Sequence, residues 1–339
     1  MIPRERLLNR LQGKPVDKVP NLSIVMQLAA QYANIPYGKY SSQADSLVEA
    51  QMTTARGLGL DILTVMSDPY RETSAYGAEI LIQEDDLPLC KTTVLTDLSR
   101  WRQQLRPFTA EILAASRTQI GIDGVSFFKQ KAGGDYAIAG WVEGAFAEFC
   151  DLSSVSWGMT AIVDDPAETA ACLSFLTDQA IFFAQAQIEA GADIIGIGDS
   201  AASLVSARMY RNLIQPHEKR LIEAIHQAGG LVKLHICGDI THLLPEMIAT
   251  GADIIDVDYM VDFDQAIALS KDRCSISGNI DPINLLLQGT PQTVTEQVDF
   301  CLTHGNDRSI LSSGCEVPKN TPFENLKAID DRLRQHAAA

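Results

Sequence analysis

Two side chains able to bind a metal stand two positions apart in the apolar run VKLHICGDI, residues 232–240: His235 and Cys237. The run reads as a buried strand, and strand side chains at i and i+2 point the same way. An imidazole and a thiol therefore converge on one point. One more thiolate there would give a Cys₂His set with a fourth place open, as in catalytic zinc sites. Thiolates also exclude hard ions such as magnesium. The chain has seven cysteines, an odd and dispersed number that suggests no disulfide framework. Most read as small buried hydrophobes. Only Cys237 and Cys315 fall where chemistry is expected.

These residues need a frame, and a repeat supplies it. Gly-Ala-Asp-Ile-Ile occurs at 191–195 and 251–255, with the variant Gly-Leu-Asp-Ile-Leu at 59–63. In each, Gly ends a helix-like stretch and Asp opens a turn into a β-branched run. The two copies lie about 60 residues apart, the span of two βα units. Eight apolar runs alternate with helical patterns: Val19–Val25, Ile62–Met66, Ala137–Val142, Ile194–Gly198, Leu231–Ile236, Ile254–Val257, Ser275–Gly278 and Ser309–Ser312. Such strands suit a parallel sheet covered on both faces. The expectation is an α/β fold, a single (β/α)8 TIM barrel over residues 1–339, with residues 71–136 an irregular excursion between strands two and three. Alternation alone leaves a doubly wound open sheet as the other solution.

Composition narrows the function. A formal charge of −16 gives nucleic acid no basic face. No apolar run approaches the roughly 20 residues that span a bilayer, and the charged N-terminus MIPRERLLNRLQGK has no secretion-signal pattern. The expected compartment is the cytoplasm.

Barrel enzymes place their chemistry where strands end. Here those ends carry Ser67-Asp68, Glu143, Asp199, His235 with Cys237, Asp256 with Asp258, Asn279 with Asp281, and Cys315-Glu316. Any one of these could be a turn or helix-cap residue; together they describe a polar pocket. Strands five and eight face each other across a closed barrel, so Cys315 can meet His235 and Cys237. The spacing fits equally well a satisfied core histidine with two packing cysteines.

The runs His235-Ile-Cys-Gly-Asp-Ile-Thr, Ser277-Gly-Asn-Ile-Asp-Pro and Ser313-Gly-Cys-Glu-Val-Pro-Lys-Asn-Thr-Pro-Phe-Glu resemble the uroporphyrinogen decarboxylase superfamily. Within it they are most similar to the zinc methyltransferase branch typified by methylcobamide:coenzyme M methyltransferases. The resemblance spans nearly the whole chain, from Arg4-Glu-Arg-Leu-Leu and Asp17-Lys-Val-Pro onward. It implies a (β/α)8 barrel with zinc held by His235, Cys237 and Cys315. The decarboxylases carry two arginines in a Met-Arg-Gln-Ala-Gly-Arg-Tyr signature; the matching stretch here, Met26-Gln-Leu-Ala-Ala-Gln-Tyr32, has Gln27 and Gln31 instead. A neutral amide does not replace an arginine fork at a carboxylate. Asp68, in Met66-Ser-Asp-Pro-Tyr, does match the decarboxylases' essential aspartate.

The resemblance implies methyl transfer between a corrinoid, carried by a separate small protein, and a small methyl donor or acceptor. That molecule is a thiol such as coenzyme M, or a methoxylated compound in O-demethylation. Asp68, Asp199 and Glu143 are the expected catalytic carboxylates, with Glu143 or Glu316 as a fourth metal ligand and Asp199 orienting His235 or positioning substrate. Asn279, Tyr70 and Gln27 are expected on the cofactor side of the pocket, and Trp141 and Tyr259 on its walls. The alternatives are uroporphyrinogen decarboxylation, which needs no metal, and a non-enzymatic corrinoid-binding barrel.

Overall fold

β-branched apolar runs, each entered through a Gly-x-Asp or similar turn, pair edge to edge when helices cover both faces of the sheet. The computed structural model describes residues 1–338. Its strands are β1 (Ile62–Thr64), β2 (Ile80–Leu81), β3 (Leu89–Cys90), β4 (Ala137–Glu143), β5 (Ile194–Gly198), β6 (Leu231–His235), β7 (Ile254–Asp256), β8 (Ser275–Ile280) and β9 (Ile310–Ser313). Seven form one curled parallel sheet in the order β1-β4-β5-β6-β7-β8-β9, flanked by helices, while β2 and β3 make a separate antiparallel hairpin. Residues 71–136 contain that hairpin and the helices Arg71–Ala75, Trp101–Gln104, Ala110–Ala115 and Thr118–Ala132.

The expected first strand, Val19–Val25, is not one. It makes a single parallel bridge, Asn21 to Leu311. Pro20 has no N–H to donate, and beyond Leu22 serine hydroxyls replace the ladder. The Ile24 N–H donates to Ser313 Oγ at 3.1 Å, and the Ser313 N–H donates to Ser23 Oγ at 3.1 Å. The segment still touches both edges of the sheet. Leu22 N–H donates to the Leu311 carbonyl at 2.8 Å, and Asp61 N–H donates to the Asn21 carbonyl at 2.9 Å.

The repeated Gly-x-Asp turn has a physical reason. Gly191 and Gly251 take φ of +115° and +92°, a region that disfavours side chains. The aspartate two residues on accepts a backbone N–H from the neighbouring strand or, for Asp61, from the bridged segment at Asn21. Asp193 Oδ2 takes Ile138 N at 3.1 Å, Asp253 Oδ2 takes Val232 N at 2.8 Å, and Asp61 Oδ2 takes Asn21 N at 2.8 Å. Each carboxylate ties the foot of its strand to its neighbour.

Alternation divides the strands between two environments. Leu63, Ile138, Ile195, Ile197, Val232, Leu234, Ile255 and Ile276 pack outward in the large core shared with the helices. The opposite parity fills the lumen. Ile62, Ala137, Ala139, Ile194, Ile254 and Ile310 form its floor with Leu22, and Leu7 of the helix Pro3–Leu11 packs against them from below. Burying each large aliphatic side chain contributes about 1.5–3 kcal/mol. Higher in the lumen the same parity turns polar. Lys233, Asp256 and Ser277 come first, then Glu143, His235 and Asn279, all buried. The sequence therefore builds an apolar plug at one end and a polar chamber at the other.

Candidate metal centre

His235 is the last residue of β6, in register with Gly198 of β5 and Asp256 of β7. Cys237 follows two residues later, where Gly238 adopts φ of +90° and its N–H donates to Asp258 Oδ2 at 2.7 Å. Cys315 arrives from the turn after β9. A side chain at Gly314 would run into the Tyr259 backbone, so only glycine lets that turn close on the one after β7.

His235 Nε2 lies 3.1 Å from Cys237 Sγ, which lies 3.6 Å from Cys315 Sγ. All three ligand atoms fall within 4.8 Å of one another. A tetrahedral zinc ion separates such ligand atoms by roughly 3.5–3.8 Å, so the donor set fits that ion in type and in size. The ring's other nitrogen, Nδ1, stands 2.9 Å from Asp256 Oδ2, which also pairs with Lys233 Nζ at 3.1 Å. That negative charge beside Nδ1 favours a proton there and leaves Nε2 to a metal.

The electrostatics agree. Burial alone would push the His235 imidazole down, but Asp256 and the Cys315 sulfur outweigh it and bring it to about 9. Between the thiols, the bond to Cys237 and then His235 pull Cys315 down, while the same bond and burial push Cys237 up. The three groups thus hold displaceable protons and one ready thiolate, so metal uptake would release protons.

The other expected residues are placed differently. Glu143 ends β4 beside this strand end; its Oε1 accepts the Trp141 indole N–H at 2.9 Å. Burial, then Glu72 and Asp151, push its carboxyl well up. Trp141 lies flat on β5, filling the space above Gly196 and Gly198. Neither Glu143 nor Glu316 belongs to the three-residue ligand cluster. Glu316 is held by burial near 7 and accepts the Gln27 N–H at 3.2 Å. The carboxylate at His235 is Asp256, not Asp199. Asp199 instead accepts Ala147 N at 2.8 Å, capping the helix Ala145–Leu152, and burial raises it to about 7.

Asp68 is locked. Both its oxygens accept from Arg117 at 2.6 Å, and Ser67 Oγ donates to it at 2.7 Å. Burial would raise Asp68, but Arg117 holds it below the usual carboxylate range. Tyr70 is half-buried, raised by burial and then by Asp151. Asn279 Nδ2 donates to the Val261 carbonyl at 2.9 Å, and its buried Oδ1 has no partner. Gln27 lines a cleft of about 640 Å³ together with Gln31, Tyr37, Asp85 and Lys319. Lys233 escaped the sequence reading although its signal was present: a lysine at i−2 from His235 shares that histidine's inward parity.

A family model described as Uroporphyrinogen decarboxylase (URO-D) matches residues 2–336. The chain belongs to the uroporphyrinogen decarboxylase family. Family members similar over their full length include the methylcobamide:CoM methyltransferase MtbA of Methanosarcina acetivorans, 27% identical over 96% of this chain and 95% of that protein. Another is MtaA of Methanosarcina barkeri, 28% identical over 96% of both. A uroporphyrinogen decarboxylase of Nostoc sp. is 26% identical over 97% of this chain and 96% of its own. Among solved structures, a methyltransferase from Methanosarcina mazei superposes with a TM-score of 0.90 at 24% identity, covering 100% of both chains. That match carries the fold of the family. No helix among the described residues is long and apolar enough to cross a membrane.

Proposed function

We propose that this chain is a zinc-dependent methyltransferase that moves a methyl group between the cobalt of a corrinoid, carried by a small partner protein, and a small-molecule thiol. A methoxylated methyl donor is the variant of this reading in which the methyl group travels toward cobalt. The observation that carries it is the convergence of His235, Cys237 and Cys315 from two distant parts of the chain within 4.8 Å. The full-length likeness to proteins named methylcobamide:CoM methyltransferases supports it.

His235, Cys237 and Cys315 would hold the zinc. When bound, the ion would supply a cation that lowers the pKa of a substrate thiol and keeps its sulfur nucleophilic. Asp256 holds the imidazole in its binding orientation. Glu143, its carboxyl pushed well up by burial, stands beside the chamber as a candidate proton donor. Asp199 and Asp68 act by positioning, the first through the helix Ala145–Leu152 and the second through the turn after β1. Gln27 walls the substrate cleft, and Tyr70 and Asn279 stand on the side that receives the corrinoid. In this reading residues 1–339 work as one barrel domain in the cytoplasm, with 71–136 an excursion that lends Asp85 to the cleft. Uroporphyrinogen decarboxylation fits less well, because among the described residues no arginine lines that cleft to receive a tetrapyrrole's carboxylates.

The test is metal analysis of the purified protein beside demethylation of methylcob(III)alamin by thiols, read from cobalt absorbance. One zinc per chain and thiol-dependent demethylation, both lost in Cys237→Ala, are expected. A metal-free protein that decarboxylates uroporphyrinogen would overturn the reading.

A further inference from the structure

The two sulfurs that approach the His235 imidazole also approach each other. Cys237 Sγ and Cys315 Sγ stand 3.6 Å apart. A disulfide needs about 2.05 Å, so closure takes roughly 1.5 Å of movement shared between two side chains. Neither residue is part of a strand. Cys237 lies two residues past the end of β6 and Cys315 two past the end of β9, so the shift falls on turns and spares the sheet ladder. Both thiols are half-exposed, whereas Cys150, Cys172, Cys274 and Cys301 are buried. Cys90 is half-exposed as well, but it lies in the β2–β3 hairpin, where its Sγ donates to the Thr92 carbonyl at 3.3 Å. Cysteine oxidation follows access, and a neighbouring thiol diverts the first oxidised sulfur into a disulfide before it climbs further. The pair at the open end has both the access and the neighbour.

A sulfur tied into a disulfide is no longer a thiolate, and a metal site of this type needs the thiolate. The same two atoms therefore have exclusive partners, a divalent ion or each other. We propose that Cys237 and Cys315 are a site of reversible oxidation, closing to a disulfide under peroxide and so exchanging metal binding for a sulfur–sulfur bond. One thiol sulfur attacks a peroxide oxygen, the O–O bond breaks, and a sulfenic acid and one water result. The second sulfur then displaces the sulfenic oxygen, which leaves as water with the second thiol proton, and the S–S bond forms. The sulfurs together lose two electrons and the two peroxide oxygens gain them. A small dithiol reverses the step by exchange and is itself oxidised to its disulfide. This oxidation needs only the thiol pair and stands apart from the methyl-transfer reading, which gives it a consequence: an enzyme that peroxide turns off and a dithiol turns on again.

The test treats the purified full chain, reduced and stripped of metal by a chelator, with hydrogen peroxide. Thiols titrated in denaturant should fall from seven per chain to five. Peptide mapping should find the Cys237 and Cys315 peptides joined, and dithiothreitol should part them. The oxidised protein should take up no zinc, and after dithiothreitol it should again take up one ion per chain. Cys90→Ser should form the same joined peptide. In Cys237→Ser the remaining Cys315 should end as a sulfinic acid that dithiothreitol does not recover. Seven thiols surviving peroxide overturn the proposal. So do thiols lost without the joined peptide, to links between chains through Cys90 or to sulfinic acids, and so does an oxidised protein that still binds zinc. A reduced protein that takes up no zinc overturns the methyl-transfer reading instead, and the disulfide is then judged by thiol count and peptides alone.

Discussion

The two ends of the lumen treat charge in opposite ways. At the floor, beneath the apolar plug, each of the buried charges has an opposite neighbour. Arg6 pairs with Asp17 at 2.6 Å and with Asp61, and Lys18 with Asp61 at 3.3 Å and Asp330 at 2.7 Å. At the open end Asp68 and Asp256 keep Arg117 and Lys233 as partners, but Glu72, Glu143, Glu148 and Asp199 are buried with no cation bridged to any of them among the described residues. Beside them two thiols and an imidazole crowd together. Paired charge at the floor serves stability. Unpaired acids and crowded ligands at the open end cost stability and are tolerated where chemistry is done.

The sharpest way to break this comparison is to remove one group from each end. Cys315→Ala should abolish zinc retention and methyl transfer together while leaving the urea midpoint of the metal-free protein nearly unchanged, since the thiol sits in a half-exposed turn. Metal stoichiometry and denaturation on the same sample check it. Arg6→Met should do the reverse. It strips Asp61, buried at 1% exposure, of its guanidinium partner and leaves it only Lys18 at 3.3 Å, so the loss should amount to a part of the about 3–5 kcal/mol that a buried charge left with no partner costs. The folded fraction should still take up zinc. Retained stability in Arg6→Met, or retained zinc in Cys315→Ala, would erase the contrast.

Much of this arrangement is legible in the chain. The Gly-x-Asp repeat marks strand starts because glycine turns the chain and aspartate ties adjacent feet, both local effects. His235 and Cys237 show their convergence through period two alone. Cys315 does not, since its approach depends on the turn at Gly314 closing against Tyr259; a closed barrel makes the meeting possible, and the family resemblance singled it out. Val19–Val25 reads as a strand by composition, yet Pro20 and two serines divert its hydrogen bonds to side chains. Asp68 and Asp199 carry the right side chains at strand ends. Their partners, Arg117 and the N-terminus of the helix Ala145–Leu152, lie 49 and 52 residues away in sequence and are invisible to local pattern.

A smaller change sharpens the contrast within the open end. Asp256→Asn keeps the shape but removes the charge that orients His235 and answers Lys233. Zinc affinity should fall about 10–100-fold, as is usual when a ligand's supporting carboxylate is lost, measured by competition with a chromophoric chelator. An unchanged affinity would mean that the imidazole is oriented by packing alone.

The smallest effect is a slope with pH, and for the unpaired acids of the open end its sign is opposite to that of the paired acids at the floor. Burial holds Glu72 and Asp199 near 7, and burial with Glu72 holds Asp151 near 8, against about 4 in an unfolded chain. The folded state therefore keeps protons that the unfolded state has lost. The stability they contribute is full below about pH 4 and declines as pH rises through 7 and 8, by at most about 1.4 kcal/mol per unit for each proton. At the floor the bond from Arg6 pulls Asp17 down, so its contribution is present above about pH 4 and is lost as pH falls further. Urea midpoints of the metal-free protein should peak on the acid side of neutrality and fall toward pH 8.5, and Asp151→Asn should flatten that fall. Midpoints that climb steadily from about pH 6 to 8 would show that the acids of the open end are ionised in the folded protein, and that the two ends handle charge alike.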